Sequence, residues 1–241
     1  MALNASKVKT VNKDRVEQEP LDQGNYPARL VQILDLGIQE QRPYKGEAKA
    51  PCHEIMLTYE FLDEFCKDKD GEDLEDKPRW LSETIPFRSL QADLAKSTKR
   101  YRALDPEEVH GGDFTELGGT PCNITIVNNE SNGKVYNNVG NVSTMRPKDA
   151  QKAPELVNPV KVFVLDEPDM EVFLSLPQWL QDKIKGNLEF NGSPLQKALQ
   201  GHKGGDKPKP KAALQDEEED IPEDAPEAPE DEEEKDDDIP W

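Results

Sequence analysis

Cysteine is scarce in this chain. Only Cys52, Cys66 and Cys122 occur among 241 residues. An odd set without framework spacing argues against a disulfide-stapled scaffold and is expected of reduced thiols in a cytoplasmic protein. Long apolar runs are missing too. No stretch approaches the roughly 18 apolar residues that read as a membrane helix, and the opening residues lack the apolar core of a signal peptide. There is no phosphate-binding loop, dinucleotide fingerprint or nucleophile elbow. The expectation is a non-catalytic protein that needs no cofactor.

Charge, by contrast, is abundant and unevenly placed. Hydrophobic residues make up 34% of the chain and charged residues 33%, so the whole of it cannot be one dense core. Residues 212–241 contain sixteen Asp or Glu and one Lys, a net charge of −15, out of −20 for the chain. The remaining 211 residues carry only −5. Acidity is therefore a property of the tail, a distribution that points to an interaction segment and says little about fold.

Four regions can be read along the chain. Residues 1–23 are polar, with Lys7, Lys9, Lys13 and Arg15, and are expected to form a flexible N-terminal arm. Residues 24–146 have the texture of strands. The segment 26–36 is aliphatic on both faces, whereas 53–62 (HEIMLTYEFL) alternates, with Ile55, Leu57, Tyr59 and Phe61 on one side. Glu54, Met56, Thr58 and Glu60 on the other side predict a half-exposed strand. A third strand is expected at 80–87 and a helix at 89–104. A hairpin follows, formed by 122–128 and 135–145 around Asn129-Glu-Ser-Asn-Gly133. Residues 147–200 read as a Pro/Lys linker, a short apolar segment at 160–165 and a helix at 176–188 with Pro177 near its start, together an appendage packed on the preceding domain. Residues 201–241 carry too little apolar surface to offset chain entropy and predict a disordered acidic tail.

Five strands with a helix between the third and fourth is the order of an OB-fold, a five-stranded Greek-key barrel that often binds oligonucleotides. The predicted fold class is therefore mainly β: an OB barrel over 24–146 with a small helical appendage.

The sharpest signal is the hexapeptide Asp236-Asp237-Asp238-Ile239-Pro240-Trp241. An aromatic ring in a polar tail has no core to fill. It suits capture in a partner's hydrophobic slot whose basic rim meets the carboxylates. The hexapeptide resembles the tip of bacterial single-stranded DNA-binding proteins, which ends Asp-Asp-Asp-Ile-Pro-Phe, with Trp241 here in place of the Phe. The body, through 26–36, 119–138 and 176–188, resembles bacteriophage single-stranded DNA-binding proteins of the OB-fold type. The resemblance implies a protein that coats single-stranded DNA in a bacterial cytoplasm. Through its tip it would recruit replication, recombination and repair proteins. The charge layout adds a further expectation: a tail at −15 can mimic DNA and compete with it for the body.

Binding of that kind needs rings on which bases stack and cations along the backbone. Residues 39–49 (QEQRPYKGEAK), the first inter-strand loop, offer Arg42, Tyr44, Lys45 and Lys49. The hairpin edge offers Lys134 and Tyr136, and the start of the third strand offers Arg79 and Trp80. Lys96, Lys99, Arg100 and Arg102 are read as a solvated helix face. Cys52, His53, Cys66, His110 and Cys122 supply zinc-type ligands but no Cys-x-x-Cys or His-x-x-x-His spacing. Asp35 with Glu47 and Lys49 imitates a metal-nuclease pattern that arises easily by chance in a chain with 50 acids. An acidic-tailed interaction protein or chaperone that ignores DNA, and a metal-dependent nuclease, are the two rival expectations.

Overall fold

The computed structural model describes residues 16, 18–43 and 45–201. Its strands are β1 (Gly24–Gln39), β2 (Cys52–Lys67), β3 (Asp73–Pro86), β4 (Pro121–Ser131), β5 (Lys134–Thr144) and β6 (Lys161–Phe163). The helices are α1 (Lys96–Leu104), α2 (Pro147–Ala150), α3 (Met170–Ser175), α4 (Gln178–Lys185) and α5 (Pro194–Gly201). The chain is thus mainly β, with few and short helices. None among the described residues is long and apolar enough to cross a membrane.

The main path of the sheet runs β3-β2-β1-β4-β5, every neighbouring pair antiparallel. β1 is the shared strand. Residues 24–29 pair with β4, while 28–39 pair with β2. Where β4 leaves, β6 takes its side and pairs in parallel with Gln32, Ile33 and Leu34. This sixth strand falls within the apolar segment that the sequence had placed in the appendage. Register shifts between Leu30 and Gln32, and between Asp35 and Gly37, break the alternation of β1. Each shift changes which side chains face inward. β1 consequently feeds two cores, which explains its aliphatic character on both faces.

The first core gathers Leu30 and Ile33 of β1, Ile55, Leu57, Tyr59 and Phe61 of β2, and Tyr101 of α1. The inward face of β2 is the one its alternation indicates. Its opposite face is not half-exposed as expected: Met56, Thr58 and Glu60 are all buried. Met56, with Leu34 and Leu36, packs under Phe163, Phe173, Leu176, Leu180 and Ile184 in a second core. Glu60 is 1% exposed and accepts from the Val157 backbone N–H at 2.7 Å, from Asn158 Nδ2 at 2.7 Å and from Trp80 Nε1 at 3.0 Å. Arg29 donates to the carbonyls of Ala153 and Pro154, at 3.2 and 2.8 Å. Residues 153–190 therefore lie across the outside of β1 and β2.

At the far margins of the sheet, β3 and β5 come near each other, without a hydrogen-bonded ladder among the described residues. α1 fills that seam. Arg100, placed by the sequence on a solvated face, is 2% exposed there and reaches both strands. The helix also starts later than expected. The Arg88 backbone N–H donates to Ser97 Oγ and Thr98 Oγ1 donates to the Ser89 carbonyl, so residues 89–95 form turns ahead of α1. The β4–β5 hairpin closes on Asn132 and Gly133, both with positive φ (52° and 74°), the two-residue turn that matches strand twist.

The arm expected to run to residue 23 is anchored at its end. Leu21 enters the first core, and its backbone bonds to Asn128 and Asn137. Gln18 exchanges hydrogen bonds with the Lys67 backbone.

Candidate nucleic-acid interface

The expected binding residues fall into two groups, set apart by the register of β1. Gln39 pairs with Cys52, so the loop 40–51 lies beyond the C-terminal end of β1. Gly24 pairs with Ile126, so the 132–133 turn lies beyond its N-terminal end. Arg42 and Lys45 are exposed on the loop and Lys49 is partly covered. The base of the loop is held by Gln41 Nε2, which donates to Glu54 Oε1 at 2.9 Å, and Glu54 also meets Lys183 Nζ at 2.9 Å. Lys45 (φ 50°) and Gly46 (φ 85°) turn the chain there. Tyr44 and the hexapeptide Asp236, Asp237, Asp238, Ile239, Pro240 and Trp241 lie outside the described residues.

At the opposite end, Lys134 is exposed and Tyr136, paired with Asn129, is partly covered. Arg79 donates to the Glu19 carbonyl at 2.8 Å. The surroundings there are acidic. Burial raises the Glu64 carboxyl, and the negative charges of Asp63 and Asp73 raise it further, against Arg79. Trp80 is half-buried with its indole N–H committed to Glu60. The structure thus separates the loop cations from Arg79, Trp80 and the hairpin.

One feature at the loop end was missed in the sequence. Just past β3, the Phe87 backbone N–H donates to the His53 carbonyl at 2.7 Å. Its ring stands edge-to-face with His53 (5.3 Å) and with Phe114 (5.7 Å), while 36% of the residue stays exposed. Arg88 follows in the chain, exposed and without an ion pair among the described residues. An aromatic–cation dipeptide closing a strand was the available signal.

His53 Nε2 lies 2.6 Å from Asp35 Oδ1. That hydrogen bond is the main reason the imidazole pKa is raised. Partial burial opposes it, and the charges of Asp35, Glu189 and Asp166 add to it. Burial pushes Asp35 up, but hydrogen bonds from His53 and from the Gly37 and Leu165 backbone N–H groups, together with the His53 charge, hold it below the ordinary carboxylate range. Asp35 is therefore committed to structure, while Glu47 is exposed on the loop. Among the described residues no group of three or more His, Cys, Asp or Glu side chains is arranged to hold a metal ion. The three thiols are buried singly, and burial pushes Cys122 up to about 12. Among the described residues the zinc-type ligands form no such group.

No family model and no curated protein matches the chain.

Proposed function

We propose that this protein binds single-stranded DNA without reading its sequence, and that it is not an enzyme. The observation that carries the reading is the strand order β3-β2-β1-β4-β5, with α1 between β3 and β4 and with β3 and β5 drawn together. In this reading the order is that of an open, OB-like barrel. The cationic loop 40–51 occupies its β1–β2 connection, where such folds contact oligonucleotides. In this reading cations track the backbone and rings receive bases. The acidic segment 212–241 supports the rest of the proposal. In this reading its hexapeptide docks replication, recombination or repair proteins within a bacterial cytoplasm, as its resemblance to the bacterial single-stranded DNA-binding tip implies.

The deciding experiment is fluorescence anisotropy of labelled oligo-dT against duplex of equal length, at low and moderate salt. Saturable binding that favours the single strand and weakens with salt is expected. No binding at low salt, even after removal of 212–241, would sink the reading in favour of an interaction protein that ignores DNA.

A further inference from the structure

We infer that Phe87 and Arg88 form a nucleotide-stacking step, and that the single strand passes over the loop 40–51 end of the sheet and not across Trp80 and the hairpin. The inference rests on the single-strand reading and deepens it.

A phenylalanine that only fills space is buried, and one stranded on the surface is held loosely. Phe87 is neither. Its backbone is tied to His53, and its ring is set edge-to-face between His53 and Phe114, with interplanar angles of 77° and 81°. Phe114 in turn meets Tyr101 at 5.2 Å, so the ring is braced through to the first core. The braced ring still leaves 36% of the residue open to solvent. A rigid, exposed ring gives a base a surface without ordering the side chain on binding.

Cations lie near this ring. Arg88 is exposed, and its charge is felt at the Cys52 thiol where β2 begins, three residues after Lys49. Its backbone N–H bonds to Ser97 of α1, next to Lys96, whose half-exposed ammonium lies 3.5 Å from Glu83 Oε2. Near His53 the charges are acidic. Asp35, Asp166 and Glu189 act on His53 and would repel phosphates. The strand is thereby directed from the loop over Phe87 toward Arg88 and α1.

The alternative route is poorer. Arg79 sits with Asp63, Glu64 and Asp73. A base could meet Trp80 edge-on only by disturbing the Glu60 bonds that hold Val157 and Asn158.

Two measurements on the full chain test this. Ultraviolet crosslinking to oligo-dT, followed by peptide mapping, is expected to label the peptide containing Phe87 and Arg88. Phe87→Leu, which keeps apolar contact with Phe114, is expected to weaken oligo-dT binding roughly 5- to 100-fold. Arg88→Ala is expected to lower the salt slope by about 1. Unchanged melting of the Phe87→Leu variant would separate binding from folding. If it does not fold, the crosslink map of the unmodified chain decides. Normal binding by the unmodified chain, with crosslinks only at Trp80 or Tyr136 and no effect of Phe87→Leu, would overturn this route while leaving the single-strand reading intact. No binding by the unmodified chain would overturn both.

Discussion

Arg100 grips both carboxylate oxygens of Glu83, Nε to Oε1 at 2.8 Å and Nη2 to Oε2 at 3.1 Å, inside the seam between β3 and β5. Tyr59 OH also donates to Glu83 Oε1 at 3.0 Å, and Arg100 reaches Asn141 Oδ1 and the Gly140 carbonyl on β5. Arg100 thus does across the seam what a ladder of backbone hydrogen bonds does elsewhere in the sheet. A buried pair gains little over apolar packing, but losing Arg100 leaves the buried Glu83 carboxylate only Tyr59 and the more exposed Lys96, 3.5 Å from Oε2, in place of its bidentate partner.

Arg100→Leu is accordingly expected to cost about 3–5 kcal/mol of unfolding free energy in urea. Combining it with Glu83→Leu should recover a substantial part, because the buried carboxylate that has lost its bidentate partner is then gone. A single substitution costing less than about 1 kcal/mol would show that the seam does not depend on this pair.

The Asp35–His53 pair sets a pH window. His53 is raised from 6.5, so its contribution is complete below that value and is lost as pH rises through the folded value. Asp35 is lowered from 3.8, so its contribution is complete above that value and is lost as pH falls through the folded one. Both are complete between 3.8 and 6.5. Melting temperatures of the parent and of His53→Gln should therefore differ most in that window, and should converge as pH rises beyond it. A difference that stays constant from pH 5 to 9 would contradict the pairing.

Gly37 lies at φ 74°, and a Cβ there would come within 2.8 Å of both Asn187 Cγ and Leu165 Cδ1. Gly37→Ala combines left-handed backbone strain of about 1–2 kcal/mol with displacement of the appendage from β1. Equilibrium unfolding should show at least that loss, and hydrogen exchange at the Leu188 amide, which bonds to the Ile38 carbonyl, should quicken.

Removal of residues 212–241 takes away a charge of −15. Under the single-strand reading, the truncated chain binds oligo-dT more tightly than the full chain, most of all at low salt. Titrations at two salt concentrations measure this, and equal affinities at low salt would rule out competition by the acidic segment.

Local pattern was enough for much of the fold. Alternation at Ile55, Leu57, Tyr59 and Phe61 identified the inward face of β2, because strand periodicity is a property of neighbouring residues. A hairpin was legible at 129–133, and the structure narrows its turn to Asn132-Gly133, where positive φ has strong residue preferences. Pro177 stands at the N-cap of α4, where its missing N–H takes nothing from the helix. What the sequence could not reveal was the company each face keeps. Glu60 looked solvent-exposed until Val157, Asn158 and Trp80 covered it. Arg100 looked like part of a solvated helix face because Glu83, seventeen residues away, is brought to it only by the packing of α1 against β3. His53 and Asp35 meet across β1 and β2, and Phe87 is braced by Phe114 from beyond α1. Burial and ion pairing are decided by which distant segments pack together, and that is a property of the tertiary fold.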